Sequence, residues 1–286
     1  QQQQQQQITA TTIEWEDIKL EETDEQVASG AFGTVHKGKW GNRNVAVKVI
    51  DIGKVGKRVL NSVTNEAKTH CALRHPNVVF FYGVVLSPKP AIVMEWAPPD
   101  LLLFLQDWEE KEDLPWSQRW TIAFQIAQGM KFVHSSDILH HDLRAANVLL
   151  GPKESRLCRL CDFGLSRWKQ TTSCKNDKQS GNPHWWAPEY AIGGGFTAAC
   201  DVFSYGVLLF EIASCGDLPF SGHENVESLY ERGLRNEKIT TLKGVPEAYQ
   251  ELIQNCWHQN PKQRPTFDTI VYLIRSLKVT DVEITV

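Results

Sequence analysis

The polar residues most able to do chemistry stand in runs that are otherwise apolar or small. In "SDILHHDLRAANVLL", Ser136 to Leu150, His140 and His141 precede Asp142, and Asn147 follows. Asp162 closes "RLCRLCD", Lys48 interrupts the apolar run "VAVKVI", and Glu66 lies between Val63 and His70. A His–His–Asp cluster admits a metal site, a proton relay or a catalytic loop. A metal needs side chains that converge, whereas neighbours in an extended chain point to opposite sides, so His140 and His141 would rarely share an ion. Asp142 and Asn147 then read as residues of a catalytic loop whose reaction depends on the rest of the chain.

Those residues need elements to hold them. "VASGAFGTV", Val27 to Val35, carries Gly30 and Gly33, with Ala28 where a third glycine would stand. Glycines let backbone N–H groups approach phosphate oxygens closely. A dinucleotide fold would open a helix directly after them. Here "TVHKGKW", a turn at Gly41 to Asn44 and "VAVKVI" follow, which predicts strand, loop, strand, turn, strand. Lys48 sits either at an edge with its head in water or aimed at an anion. Leu60, Val63, Ala67 and Cys71 recur at helical spacing, and Glu66 shares a face with Val63 and His70. An inward carboxylate needs a cation, and Lys48 is the candidate. Farther on, "RWTIAFQIAQGMKFVHS", "DVFSYGVLLFEIAS" and the segment after Pro265 carry helical apolar spacing.

Composition narrows the classes. The 286 residues suffice for one large domain or two lobes, 42% of them are apolar, and the formal charge is −4. Lys and Arg are not in excess, which argues against a nucleic-acid partner. Seven cysteines, an odd number in so long a chain, argue against a disulfide framework and for a reducing, cytoplasmic setting. Cys158 and Cys161 form a C-x-x-C in a strand-like run without a second pair, so buried thiols are expected rather than zinc. The apolar run "NVVFFYGVVL" is far shorter than a membrane span, and no signal peptide is read at the start. Residues 1–12, opening on Gln1 to Gln7, read as a disordered tail.

With "ASGAFGTV", "VAVK", the helix bearing Glu66, "HHDLRAAN", "DFG" at Asp162 to Gly164 and "APE" at Ala187 to Glu189, the chain resembles a eukaryotic protein kinase domain. "DVFSYG" at Asp201 and "CWHQNPKQRPTF" at Cys256 extend the likeness, which runs from about Trp15 to Leu277. "IEWEDIKLEE", "HKGKWGNRNVAVK" and "CDVFSYG" are most similar to the tyrosine-kinase-like group, nearest to the mixed-lineage and TGF-β-activated serine/threonine kinases. The resemblance implies a bilobal α+β fold: a β-rich N-lobe with one helix over 13–94, a hinge at 95–97, a mainly α-helical C-lobe over 98–279 and a tail over 280–286.

It also implies roles. Asp142 would act as general base on a substrate hydroxyl, while Asn147 and Asp162 would hold Mg2+, with Mn2+ an alternative. Lys48, paired with Glu66, would bind the α- and β-phosphates of ATP, and Arg144 would counter charge near the γ-phosphate. Val27, Ala28, Ser29, Gly30, Ala31, Phe32, Gly33 and Thr34 would cover the phosphates. Val35, Ala46 and Leu149 would sandwich adenine, Glu95 and Ala97 would read its edge through their backbone, and Met94 would narrow the pocket. Glu189 would pair with Arg264.

Several residues depart from the family pattern. Ala28 replaces a loop glycine, which should weaken nucleotide binding without abolishing it. His70 stands where an apolar residue usually meets the phenylalanine of "DFG", and Phe203 replaces a tryptophan. His141 stands where arginine often grips an activation-segment phosphate, although Thr171, Thr172, Ser173 and Ser180 remain available for phosphorylation. "DLRAAN" is similar to Src-type tyrosine kinases, whereas Pro183, two residues before Trp185, fits the serine/threonine form. The balance favours transfer to Ser or Thr of protein substrates in signalling, the alternatives being a tyrosine or dual-specificity kinase or a silent kinase-fold scaffold. Regulatory domains or partners would lie outside this chain.

Overall fold

The β-branched and aromatic residues on either side of Gly41 favour strands and fold into a hairpin. Strands β3 (Gly33–Trp40) and β4 (Arg43–Ile50) pair antiparallel from Gly33↔Ile50 to Trp40↔Arg43 around a two-residue loop. Gly41, at φ 58, takes the left-handed first position that such a loop favours. In this computed structural model the described residues are 11–21, 28–30, 33–50, 73–97, 99–107, 114–151, 157–163, 167–168, 181–219 and 244–277. The chain divides into two units, residues 1–98 and 99–286.

In the first unit, β1 (Ile18–Leu20), β2 (Ala28–Gly30), β5 (Phe81–Val85) and β6 (Ala91–Glu95) join the hairpin in a sheet of order β1–β3–β4–β6–β5, with β2 on β3. Cross-strand partners share a face. One face therefore carries Val35 and Lys48, paired to each other, with Ile92 opposite Lys48 and Met94 opposite Ala46. The other carries Val45, Val47, Ala91 and Val93, buried with Val85, Ile13 and Ile18. Ile13 reaches that core because residues 11–13 line up on β5: Ile13 donates to the Val84 carbonyl at 2.8 Å, and Val84 donates to that of Thr11 at 2.9 Å. Gly83 permits the approach, since a Cβ there would collide with the Thr11 carbonyl.

The second unit is mainly helical. Among the described residues its helices are α1 (Leu101–Gln106), α2 (Trp116–Ser135), α3 (Pro188–Ala191), α4 (Ala198–Ala213), α5 (Glu247–Cys256) and α6 (Phe267–Leu277). Two small ladders accompany them: β7 (Ile138–Leu139) with β10 (Arg167–Trp168), and β8 (Val148–Leu150) with β9 (Cys158–Leu160). The helices expected from periodicity are present in α2, α4 and α6; the helix expected around Glu66 lies outside the described residues. Helix α4 is buried at 13 of its 16 positions, the pattern of a central core helix. The buried Arg119 of α2 finishes it, donating to the Ile212 and Ala213 carbonyls that the last turn leaves open. No helix among the described residues is long and apolar enough to cross a membrane. Cys158 and Cys161 are buried free thiols, and burial pushes the Cys158 thiol up to about 12.

Candidate active site

The loop between β7 and β8 carries the residues singled out first, and a carboxylate of α4 holds it. Asp201, fully buried, accepts the His140 N–H at 2.9 Å, the His141 N–H at 3.0 Å and a hydrogen bond with His134 Nε2 at 2.8 Å. Burial works to raise the Asp201 carboxyl, but the His134 hydrogen bond and the neighbouring histidines bring it below its ordinary value. His141 sits at φ 70, a left-handed conformation that costs a non-glycine residue about 1–3 kcal/mol and persists where surrounding contacts enforce it. The two bonds to Asp201 supply that enforcement.

The histidine rings diverge. His140 Nδ1 accepts the Asp142 N–H at 3.3 Å, which leaves Nε2 to donate to the Cys161 carbonyl at 3.2 Å. This is one neutral tautomer, and burial lowers the His140 pKa in agreement with it. Its ring lies against Phe163 at 4.9 Å. The His141 ring instead stacks on Phe196, with centroids 3.6 Å apart and planes 20° off parallel. No group of His, Cys, Asp or Glu side chains among the described residues forms a metal-binding cluster.

Asp142 and Asn147 form a rigid pair. Asn147 Nδ2 donates to the Asp142 carbonyl at 2.7 Å and to Asp142 Oδ2 at 2.8 Å, so its amide oxygen is turned away from Asp142. Arg144 Nε stands 3.5 Å from the same Oδ2. Among the described residues no hydrogen bond reaches Asp142 Oδ1. That oxygen lies beside Gly181, where a Cβ would come within 3.6 Å of it. Asp162 follows Cys161, whose N–H donates to the Asn147 carbonyl at 3.0 Å, so the backbone brings Asp162 alongside the loop. Asp162 itself takes φ 59.

Two further carboxylates hold the surroundings. Glu189 meets Arg264 in a two-pronged pair, with Nη1–Oε1 2.7 Å and Nη2–Oε2 2.8 Å, as the resemblance implied. Glu211 of α4, also buried, accepts the Trp185 Nε1–H at 2.9 Å and the Ala145 N–H at 3.3 Å. Burial raises its carboxyl to about 7, against smaller lowering by the two hydrogen bonds and by Arg144. No role for Asp201, Glu211 or His134 was legible in the sequence. The signal available was a pair of acids inside the apolar run "CDVFSYGVLLFEIA".

In the first unit, Val35, Ala46, Lys48 and Met94 share one sheet face, with Lys48 buried at 7% exposure. The Glu95 N–H donates to the Phe80 carbonyl at 2.8 Å. Ala28, Ser29 and Gly30 form β2, paired with Val35, Thr34 and Gly33. Gly33 cannot be replaced without strain, because a Cβ would run into the Val49 carbonyl. In the second unit Leu149 pairs with Arg159 and bridges to Asp100. Val27, Ala31, Phe32, Glu66, His70, Gly164 and the segment 169–180 lie outside the described residues.

The family model for protein tyrosine and serine/threonine kinases matches residues 21–274. The chain belongs to this family. It is a protein kinase domain with a β-sheet N-lobe and a helical C-lobe, and the tyrosine-kinase-like features of its sequence lie largely inside the matched region. It is 32% identical over 278 residues to a protein of Dictyostelium discoideum named as a probable serine/threonine-protein kinase, covering 96% of this kinase domain and 29% of that protein. It is 31% identical over 269 residues to the serine/threonine-protein kinase CTR1 of Arabidopsis thaliana, covering 93% of this domain and 32% of CTR1. The chain thus spans about a third or less of the length of these relatives.

Members of the family use ATP and a divalent metal, and the donors present suit such an ion. Asn147 offers the amide oxygen that its own hydrogen bonds turn away from Asp142, and Asp162 offers a carboxylate. These are the hard oxygen ligands that Mg2+ takes.

Proposed function

We propose that this kinase domain transfers the γ-phosphate of ATP to Ser and Thr hydroxyls of protein substrates. The observation that carries the reading is the Asp142 carboxylate. Oδ2 is held by Asn147 and flanked by Arg144, while Oδ1 accepts no hydrogen bond among the described residues. A carboxylate anchored through one oxygen presents the other in a fixed direction, as a base for a hydroxyl proton must.

The remaining roles follow the chemistry of each group. In the second unit, Arg144 counters charge developing on the transferred group, and Leu149 packs on adenine. Asn147 and Asp162 hold Mg2+, with Mn2+ an alternative; when bound, the ion neutralises phosphate charge. In the first unit, Lys48 binds the α- and β-phosphates, supported by Glu66. Val35 and Ala46 pack on adenine, Met94 limits the space beside it, and Glu95 and Ala97 present backbone groups to its edge. The hairpin from Val27 to Thr34 covers the phosphates.

Preference for Ser and Thr draws on the turn at Pro183 and on the named specificity of the two relatives. Pro183 opens a 3-10 turn to Trp185 that Asn182 caps by accepting the His184 N–H at 3.2 Å. Phosphoamino-acid analysis after transfer of labelled γ-phosphate tests the reading. Phosphoserine and phosphothreonine are expected, mainly phosphotyrosine would overturn the specificity, and no transfer to any acceptor would leave a silent scaffold.

A further inference from the structure

We infer that Glu211 is a positioning residue for phosphoryl transfer: it ties the catalytic loop to the turn before α3 and so keeps Arg144 beside Asp142. The inference rests on the kinase reading and names a control within that same site.

Glu211 stands in a helix that is apolar on nearly every side and is 1% exposed. A carboxylate there is costly unless donors meet it. One oxygen, Oε2, receives both donors: the Ala145 N–H from the catalytic loop and the Trp185 indole N–H from the turn. The ring so fixed is the one over which Arg144 lies, its guanidinium carbon 5.7 Å from the centroid. Arg144 adjoins Ala145 in sequence and reaches Asp142 Oδ2 with Nε at 3.5 Å. The path is therefore short: Glu211 sets the Trp185 ring and the Ala145 backbone, these two set Arg144, and Arg144 flanks the base. No part of it puts Glu211 in contact with substrate.

Electrostatics sharpen the test. Arg144 is the charged group that acts on Glu211, while the indole and the amide are neutral donors. With its carboxyl raised to about 7, mainly by burial, Glu211 changes charge near neutrality. The ionised form attracts Arg144, and the protonated form does not. A group whose pKa is raised in the folded state favours folding most at low pH and loses that contribution as pH rises through the folded value. Glutamine at 211 keeps the volume and an acceptor oxygen but has no charge to bury. Replacing Glu211 should then spare or raise stability at alkaline pH while it lowers turnover. A residue needed only for packing cannot produce that split.

The experiment compares wild type, Glu211→Gln, Trp185→Phe and the double variant, using MgATP and a Ser/Thr peptide library. Glu211→Gln should lower kcat about tenfold at about pH 8 with KM for ATP little changed. It should also lose the rise of kcat through neutral pH, while its thermal midpoint at alkaline pH stays level or rises. Trp185→Phe removes the indole donor and should lower kcat similarly, and the double variant should be no worse than either single change. Wild-type kcat and pH profile in Glu211→Gln would overturn the inference and leave the kinase reading intact. So would a fall in activity that tracks a fall in midpoint. A wild type that transfers no phosphate would overturn the kinase reading and this inference with it.

Discussion

Arg264 holds Glu189 through two parallel hydrogen bonds of 2.7 and 2.8 Å while donating to the His258 and Ala199 carbonyls at 2.7 and 2.8 Å. The Arg264 side chain is fully buried and that of Glu189 is 24% exposed. The planar fork satisfies partners from three separate stretches, which an ammonium cannot reproduce. Arg264→Lys should therefore cost about 3 kcal/mol, near the loss seen when buried pairs are broken. Urea denaturation followed by tryptophan fluorescence measures it, and an unchanged midpoint would refute the claim.

Asp201→Asn should loosen the catalytic loop, because the amide replaces one acceptor oxygen with a donor facing N–H groups. The Asp201 carboxyl is lowered in the fold, so its contribution is present above its unfolded pKa and lost as pH falls through the folded value. Acid titration of stability should show part of the wild-type loss below about pH 4 missing from the variant. A variant with the same acid limb as wild type would show that the carboxylate is not ionised in the fold.

Lys48→Met should nearly abolish phosphate transfer and leave the fold intact, since methionine suits a site buried on an apolar strand. Circular dichroism and single-turnover transfer check the two halves. On the proposed pairing of Lys48 with Glu66, Glu66→Gln should be milder, because an amide would still offer the lysine a hydrogen bond. Full activity in Lys48→Met would remove Lys48 from the phosphate site.

The His141 ring is committed to Phe196, at 3.6 Å between centroids. A phosphate on the segment 169–180 gains no permanent cation at position 141. Dephosphorylation should then lower activity only a few-fold, a change of about 1 kcal/mol or less. Turnover of phosphatase-treated and autophosphorylated protein measures this, and a hundredfold loss on dephosphorylation would contradict it.

Local chemistry was legible in the sequence wherever the partners are close along the chain. Alternation in "VAVKVI" puts Ala46 and Lys48 on one face of β4, and Asp142 and Asn147, singled out together in one short run, are joined by a hydrogen bond of 2.8 Å. The route by which distant residues fix that turn was not legible. Asp201 lies 61 positions from His140 and 60 from His141, and a buried acid in an apolar run does not say which N–H groups it meets. His141 read as a weakened phosphate anchor, because nothing near it marks Phe196 as the surface it stacks on. Glu211 shows the same limit: its two donors come from separate loops, and only the packed chain brings them to one oxygen.

Asp142 is the proposed base, with Oδ2 pinned by Asn147 at 2.8 Å. The most direct measurement is single-turnover transfer of labelled γ-phosphate to Ser/Thr peptides by wild type and Asp142→Asn, with ATP affinity measured in parallel. Asparagine keeps the size and removes the basicity, so transfer should fall about a hundredfold to ten-thousandfold with ATP affinity retained. Transfer by Asp142→Asn at the wild-type rate would show that Asp142 is not the base.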